Sequence, residues 1–157
     1  MSTNDTGSRR LRRVLGEFAT GVTVVAADSP RGPVGMTVNS FTSVSLDPPL
    51  ILVCLATAAS TTRAVTDAGS FAVSILRRDQ RGICDTFAAR RPDKFSAVGT
   101  VEAATGAPVI DDALAYLDCR VHDVLPAGDH VVVIGEVADA AAACDGEPLT
   151  FFRGTLQ

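Results

Sequence analysis

Short apolar runs separated by turn-forming residues recur along the chain, a pattern that predicts β-strands. Val22–Ala27 and Val34–Val38 are two such runs, and the residues between them, Asp28–Pro33, are typical of a hairpin turn. Leu50–Leu55 is continuously apolar, as in a strand that is buried on both faces. The segment 39–47 is small and mostly polar, and the two prolines that follow confine it to a sheet edge or a loop.

The second half of the chain continues the same pattern. Apolar and polar residues alternate over Leu117–Val121, which predicts a half-buried strand. The turn residues Pro126–Asp129 and the apolar segment His130–Val137 complete a long predicted hairpin. Phe71–Leu76 and Leu149–Phe152 predict two further strands.

Three segments predict short helices. Ser8 is suited to cap the first, which Gly21 ends. The second spans Ser60–Ala68 with Ser60 as its N-cap, and Asp79 is suited to cap the third, which extends to about Ala89. The first helix carries apolar residues at the spacing of one helical face: Leu11, Val14, Leu15 and Phe18.

These elements favour a mainly β domain over a doubly wound α/β fold, because most of the predicted strands pair as hairpins. Residues 1–7 are polar or small apart from the initial methionine, and we expect them to form a flexible N-terminal tail. Residues 8–157 need no internal boundary and predict a single domain.

Composition narrows the function classes. The chain has 157 residues, 46% of them hydrophobic and 20% charged, so a folded protein with a substantial core is expected. Its formal net charge of −4 disfavours a nucleic-acid partner, and the one basic run, Arg9–Arg13, is interpreted as a solvated helix face. No apolar run approaches the ~18 residues of a membrane span, and no signal-peptide core is visible, so we expect a cytoplasmic protein with no membrane partner.

Familiar catalytic and metal-binding patterns are missing from the sequence. The four cysteines, Cys54, Cys84, Cys119 and Cys144, form no CxxC pair and lie far in sequence from the two histidines, so reduced thiols and no metal site are expected. The chain contains no GxGxxG dinucleotide fingerprint, no GxxxxGK[ST] phosphate loop, no GxSxG elbow and no HExxH pair.

Gly35–Ser45 is the first candidate binding segment. It places small hydroxyl and amide residues between two apolar strands, where the main chain can hydrogen-bond a flat heterocycle. The alternative is a polar edge strand whose hydroxyls face water.

The start of the second predicted helix is a candidate phosphate site. Ser60, Thr61 and Thr62 bring three hydroxyls to a helix N-terminus, whose free amides and dipole favour an anion, and Arg63 adds a positive charge. The alternative is an ordinary serine cap.

Two charged or titratable side chains complete the candidates. His130 opens an apolar strand next to the turn residue Asp129, and it is either a ligand contact or a surface turn histidine. Lys94 lies in the polar connection after the third predicted helix and is either a phosphate contact or a solvated lysine.

Five segments follow one another in the order seen in a known family: Phe18–Val25, Gly35–Leu50, Phe71–Leu76, Gly128–His130 and Gly135–Val137. Together they resemble the flavin reductase-like domain, the flavin-reducing component of two-component monooxygenases. The second segment is long and ordered, and is therefore the most specific. The resemblance covers about residues 8–154. It implies a split β-barrel of the FMN-binding type that forms a homodimer, with the flavin near the subunit interface.

The resemblance also implies a set of site residues, carried over by position. The isoalloxazine ring would be held, largely through the main chain, by Thr37, Val38, Asn39 and Ser40. The ring and ribityl chain would be lined by Ser45 and by the strand end Cys54, Leu55 and Ala56. The phosphate would be bound by Ser60, Thr61 and Thr62, with Phe87 and Lys94 closing that side. His130 would face the nicotinamide as the one catalytic side chain.

The implied activity is hydride transfer from NADH, in preference to NADPH, to FAD or FMN, with release of the reduced flavin to a separate monooxygenase. The residues do not distinguish FAD from FMN. Two alternatives stay open: a non-catalytic flavin-storage module on the same fold, and an oxidase of the pyridoxamine-phosphate type. The chain departs from the family pattern at Thr57–Ala59, which lacks a basic residue, and after Phe151–Gly154, where the usual tyrosine is missing.

Overall fold

A computed structural model describes residues 3–157, with side chains from Gly7 onward. The helices are α1 Thr3–Leu15, α2 Ser60–Ala68 and α3 Arg81–Ala88. The strands are β1 Thr20–Gly21, β2 Thr23–Ala27, β3 Val34–Val38, β4 Phe41–Leu46, β5 Pro49–Ala56, β6 Ser70–Ile75, β7 Thr100–Glu102, β8 Pro108–Ile110, β9 Ala115–Ala127, β10 His130–Ala142, β11 Thr150–Phe152 and β12 Thr155–Leu156.

Seven of these strands form one antiparallel sheet in the order β3-β2-β6-β9-β10-β5-β4. Its two edge strands, β3 and β4, are consecutive in sequence and joined only by Asn39 and Ser40. The sheet therefore curls, and the amide of Cys54 on β5 reaches the carbonyl of Ser40 at 3.3 Å. No ladder joins β3 to β4 among the described strands, so the curl stays open along that line. The mainly β prediction is confirmed.

Strand β2 is buried on both faces because it separates two cores. Val25 and Ala27 point into the first core, which the sheet encloses together with α2. Val24 and Ala26 alternate with them and point into the second core, which α3 and the C-terminal segment cover. The outer edge of β3 thus lies between one helix on each face of the sheet.

Most predicted elements are confirmed, but the helix starts are not. The spans of β3 and α2 are as predicted, and Gly69 ends α2 with a left-handed φ of 67°. The N-cap of α2 is Ala59, so Ser60 is the first helical residue and the predicted serine cap is wrong. Asp79 lies inside a 3-10 turn that precedes α3, so it does not cap that helix either.

The hairpin of β9 and β10 is longer and tighter than predicted. The strands continue to Ala127 and resume at His130, which leaves a two-residue turn of Gly128 and Asp129. Gly128 adopts a φ of 65°, the left-handed conformation that such turns require. The pairing extends to Ala142, beyond the end of the apolar pattern, because main-chain hydrogen bonds continue where the side chains are exposed.

Helix α1 begins at Thr3, so residues 3–7 of the predicted tail are helical and Ser8 lies inside the helix rather than at its cap. Residues 1 and 2 lie outside the described residues. The helix ends at Leu15, earlier than predicted. Its apolar residues and Phe18, which follows the helix, are exposed by 58–77%: Leu11, Val14, Leu15 and Phe18.

None of the described helices combines the length and the apolar character needed to cross a bilayer. All four cysteines are free thiols.

Candidate functional site

The strand end Thr37–Ser40 runs from β3 to β4 and alternates between core and surface. The Thr37 hydroxyl donates to the carbonyl of Cys84 on α3 at 2.7 Å. The side chain of Val38 is only 5% exposed and lies in the first core. Asn39 is exposed, and its amide reaches the Thr20 hydroxyl at 3.5 Å. This predicted ring-binding segment therefore presents two side chains outward, those of Thr37 and Asn39.

The outer edge of β3 offers main-chain groups as well. β3 is an edge strand, and among the described strands only β2 pairs with it. Lys94 Nζ donates to the Gly35 carbonyl, on the edge of β3 that β2 does not use. Hydrogen-bonding direction alternates along an antiparallel strand, so Thr37 shares the outer edge with Gly35. A flat ligand at this edge meets N–H and C=O groups that the sheet does not use.

A second group of predicted residues meets where β5 ends, at the start of α2. We call it the α2 corner: Ser40, Cys54–Ala56, Ser60–Thr62, Asp129 and His130. His130 pairs with Ala56 in the ladder of β10 and β5, and the Thr57 amide donates to the Asp129 carbonyl at 3.0 Å. Strand pairing thus brings residues from distant parts of the sequence together as the resemblance implied.

Several hydroxyls of the α2 corner are already used within the fold. Ser40 Oγ donates to the Cys54 carbonyl at 2.8 Å and accepts the Cys54 amide at 3.1 Å. Thr62 Oγ1 donates to the Ala56 carbonyl at 2.7 Å, and the side chains of Thr61 and Thr62 are 2% and 6% exposed. The prediction of three presented hydroxyls is therefore wrong for the threonines, because the first turn of α2 rotates them inward.

What the start of α2 does present is Ser60 and main-chain amides. Ser60 is exposed. The first backbone bond into the helix comes from the Thr62 amide, which donates to the Ala59 carbonyl at 3.1 Å. The amides of Ser60 and Thr61 precede that bond and point out of the helix end, as in other anion-binding helix termini. Leu55 is fully buried, so only its main chain is available to a ligand.

The side chains of His130 and Asp129 are hydrogen-bonded to each other at the hairpin tip of the α2 corner. His130 Nδ1 lies 2.7 Å from Asp129 Oδ1, with the histidine side chain 45% exposed and the aspartate 95% exposed. The hydrogen bond from His130 keeps the pKa of Asp129 below its ordinary value, so the carboxylate stays ionised. Nδ1 is thereby occupied, and Nε2 is the nitrogen left to face a ligand.

An open groove lies on the other side of β3. It has a volume of about 580 Å³, and we call it the α3 groove. Thr37 and Asn39 form its polar wall, and Cys84, Phe151 and Leu156 are among its apolar lining residues. Burial is the largest cause that raises the pKa of the Cys84 thiol, so the thiol stays protonated and acts as a small apolar wall residue.

Phe87 and Lys94 lie beneath this groove rather than beside the start of α2. Phe87 is 1% exposed and packs edge-to-face on Phe95, with ring centroids 4.8 Å apart. It covers Gly35, where a Cβ atom would come within 3.0 Å of the ring. Lys94 Nζ donates to the carbonyls of Gly35 and Phe87 at 3.1 and 2.9 Å, and burial lowers its pKa. The expected closing of the phosphate side by Phe87 is therefore wrong, since its ring is core.

Ser45 is separated from the strand end that it was expected to join. It pairs with Leu50, near the start of β5, whereas Ser40 meets Cys54. Four residues of extended chain from Leu50 to Cys54 span roughly 13 Å. Within one chain Ser45 does not reach the α2 corner.

The sequence reasoning missed Cys84, Phe151 and Leu156, which line the groove. In the sequence, only the family-like segment Phe151–Gly154 pointed to the C-terminus as a cover of the ligand. In the part of the chain that the structure describes, no cluster of His, Cys, Asp and Glu side chains converges as a metal site.

Comparison with known proteins decides the family. The model of the flavin reductase-like domain matches residues 15–157. The chain belongs to the flavin reductase-like domain family. It is 46% identical over 149 residues to the FMN reductase (NADH) SmoA of Agrobacterium fabrum, covering 95% of this chain and 84% of SmoA.

Two further relatives connect the family to monooxygenases and to bound nucleotides. The reductase subunit HsaB of a flavin-dependent monooxygenase from Rhodococcus jostii is 38% identical over 146 residues, covering 93% of this chain and 75% of HsaB. The NADH:FAD oxidoreductase SgcE6 of Streptomyces globisporus, solved with NAD and FAD fragments, is 39% identical with a TM-score of 0.93, covering 100% of this chain and 95% of SgcE6. The chain spans about half the length of the first curated relatives that it matches.

Proposed function

We propose that this protein is an NADH-dependent flavin reductase that reduces FAD or FMN and releases the reduced flavin to a separate monooxygenase. One observation carries the proposal: an open groove of flavin-ring size runs along the unused main-chain edge of β3, in a chain of the flavin reductase-like family. The relatives named as an FMN reductase (NADH), an NADH:FAD oxidoreductase and a monooxygenase reductase subunit support the cofactors and the partner.

The residues present fit a flavin. The pyrimidine edge of an isoalloxazine carries both donors and acceptors, and the outer edge of β3 at Thr37 and Asn39 offers matching groups. The amides of Ser60 and Thr61 at the start of α2 suit the flavin phosphate. The N-terminus of this nine-residue helix carries unpaired N–H groups and the positive end of the helix dipole. Ser60 adds an exposed hydroxyl.

The flavin and the pyridine nucleotide supply the redox chemistry when both are bound. The chain's own contribution is to hold the two rings and to exclude water from between them. Phe151 and Leu156 form an apolar wall opposite Thr37, which suits this task. Main-chain donors aimed at the pyrimidine edge of the ring would stabilise negative charge that develops there.

His130 is proposed to orient the nicotinamide through Nε2, with Asp129 holding Nδ1. Asp129 is then a positioning residue rather than a catalytic one. Its own main chain is anchored, since its carbonyl accepts the Thr57 amide at 3.0 Å.

A homodimer is proposed from the exposed apolar residues of α1. Every residue of α1 from Gly7 to Leu15 is exposed, and the apolar side chains of Leu11, Val14 and Leu15, with Phe18 just after the helix, are left uncovered. A second copy would cover these side chains, and a reducing compartment such as the cytoplasm would suit the four free thiols. Phe18→Glu should shift the sedimentation coefficient to that of a monomer, and a monomeric wild type would overturn the dimer.

The test of activity is NADH oxidation followed at 340 nm in a two-by-two matrix of FAD or FMN against NADH or NADPH. We expect turnover that requires free flavin and a higher kcat/KM with NADH than with NADPH. Tightly held flavin without turnover would instead identify a storage module and end the reductase proposal.

The role of His130 has its own test. His130→Ala should raise the KM for NADH more than the Kd for flavin, and Asp129→Asn should do the same to a smaller extent. His122→Ala is the matched control, because His122 is an exposed histidine on the same hairpin, beside Glu136. Equal loss of NADH and flavin binding in His130→Ala would contradict the assignment.

A further inference from the structure

The basic run on α1 is exposed, and its C-terminal part borders a groove. Arg12 and Arg13 line a groove of about 550 Å³ together with Gly16, Glu17, Arg153 and Gly154. Three arginines and one glutamate give this groove a net positive charge on a chain whose formal net charge is −4. We call it the arginine groove. The sequence-based interpretation of Arg9–Arg13 as a solvated face agrees with the exposure of these residues, and Arg12 and Arg13 in addition line this groove.

The groove has fixed walls. On one side, β11 and β12 are joined by Arg153 and Gly154, both with left-handed φ values of 50° and 77°, as in a two-residue hairpin turn. The Arg153 amide donates to the Gly16 carbonyl at 3.0 Å, which fastens this turn to the end of α1.

The three guanidinium groups are not equivalent. Arg153 donates to Glu17 Oε2 through Nε and Nη2 at 3.0 and 2.7 Å, and its guanidinium lies 4.9 Å from the centroid of the Phe152 ring. Glu17 therefore neutralises and orients Arg153. The charges of Arg12 and Arg13 remain for an anion.

The arginine groove and the α3 groove share Gly154. The α3 groove is lined mostly by uncharged polar and apolar residues, with one residue of each charge, Arg81 and Asp85. The arginine groove, directly adjoining, holds three arginines against one glutamate. A ligand that fills both has a flat heterocycle at one end and negative charge next to it. Guanidinium groups bind phosphate oxygens in bidentate geometry, which makes a diphosphate the matching anion.

From this continuity we infer that the arginine groove binds the diphosphate of a dinucleotide whose redox ring occupies the α3 groove. The inference rests on the proposed function for the identity of that ring. NADH and FAD both contain an ADP unit. NADH is compatible with a flavin whose phosphate lies at the start of α2, whereas FAD would place its diphosphate in the arginine groove instead of at α2, and the experiment separates the two. FMN lacks the diphosphate and leaves the arginine groove to the pyridine nucleotide.

The first arm needs no turnover. ADP, the unit common to NADH and FAD, is titrated into 15N-labelled protein, with adenosine as the probe that lacks phosphate. We expect ADP, and not adenosine, to shift the amide signals of Gly16, Arg153 and Gly154. Arg12→Ala with Arg13→Ala should raise the Kd for ADP about tenfold or more, as expected for the loss of charge-assisted hydrogen bonds.

Two further variants serve as controls for the ADP titration. Arg10→Ala removes an arginine from the same helix that does not line the groove, and should leave the Kd for ADP unchanged. Arg12→Lys with Arg13→Lys keeps the charge, should restore part of the affinity, and shows that the alanine effect is not a folding defect. Shifts confined to the start of α2, or an unchanged Kd in the double alanine variant, would overturn the inference.

The second arm identifies the dinucleotide by steady-state kinetics of the double alanine variant. A raised KM for NADH with both FAD and FMN, at little-changed kcat, assigns the groove to NADH. A raised KM for FAD alone, with that for FMN unchanged, assigns it to FAD. Unchanged KM values for all substrates would refute both assignments. If the wild type shows no turnover at all, the reductase proposal fails, while the ADP titration still reports on the groove.

Discussion

The α2 corner and the α3 groove contain similar small polar residues but use them differently. In the α2 corner, Thr62 and Ser40 direct their hydroxyls at carbonyls of β5, and Thr61 and Thr62 are buried. In the α3 groove, Thr37 also bonds a carbonyl, yet it borders open volume and an unpaired strand edge. A hydroxyl near the end of a strand often satisfies the main chain, so open volume and free amides locate a ligand better than hydroxyl count does.

The largest effect should come from placing a methyl group in the first core, which α2 helps to enclose. In Gly135→Ala the new Cβ would meet Phe71 at 2.6 Å and the Cys119 Cβ at 2.9 Å. We expect a loss of about 3 kcal/mol in the free energy of unfolding, because neither neighbour can move away. Chemical denaturation measures it.

The matched variant is Gly35→Ala, beneath the α3 groove. Its Cβ would meet the Phe87 and Phe95 rings at 3.0–3.2 Å. These contacts are longer than the 2.6 Å contact in Gly135→Ala, so we expect a smaller loss of about 1 kcal/mol. A larger loss in Gly35→Ala than in Gly135→Ala would show that the α3 side is the more rigid region.

Isosteric removal of one hydroxyl from each region should give the next largest effect. Thr62→Val removes a buried hydroxyl bond to the Ala56 carbonyl, which keeps the Ala59 amide as a donor at 3.0 Å, and should cost about 1.5 kcal/mol of stability. Thr37→Val should cost about 1 kcal/mol and raise the KM for flavin, since Thr37 borders the groove. If Thr62→Val instead left stability unchanged and impaired flavin binding, Thr62 would be a ligand rather than a structural residue.

The next expected effect is a loss of stability at alkaline pH, which should come from a buried thiol of the core, Cys119. Burial raises the pKa of Cys119 from 9.0 to about 12, so the folded chain retains a proton that the unfolded chain loses. The stabilising contribution is complete below pH 9 and falls by about 1.4 kcal/mol per pH unit between pH 9 and 12. The pH dependence of unfolding in wild type and Cys119→Ala isolates this slope. Cys144→Ser, at an exposed position, should retain the slope, and a Cys119→Ala curve parallel to the wild type would contradict the assignment.

The smallest expected effect is a change in the alkylation rate of one thiol in each region. Cys54 lies in the α2 corner and Cys84 in the wall of the α3 groove. Saturating FMN should slow alkylation of Cys84 severalfold and of Cys54 less, because the ring is proposed to cover the groove. Peptide mapping by mass spectrometry measures both rates in one sample. Stronger protection of Cys54 would move the ring to the α2 corner.

The approximate positions of most strands could be predicted, because burial follows from local alternation. β2 and β5 are examples: each reads as a short apolar run, and each is a strand with a buried face. The resemblance named Ala56 and His130, which strand pairing brings side by side, and the segment Thr37–Ser40; the binding roles of these residues stay predictions. The roles of Thr62 and Phe87 could not be predicted, since both depend on where a helix face points after packing.

The sequence by itself therefore determined the mainly β architecture, the order of the strands along the chain and membership of the flavin reductase-like family. Tertiary structure alone decided which polar groups remain for a ligand. It turned Thr62 inward, set Lys94 against two carbonyls, and placed Arg12 and Arg13 against the turn at Arg153. The physical reason is that hydrogen-bond partners 59 or more residues apart in the chain, such as Lys94 and Gly35, leave no local pattern.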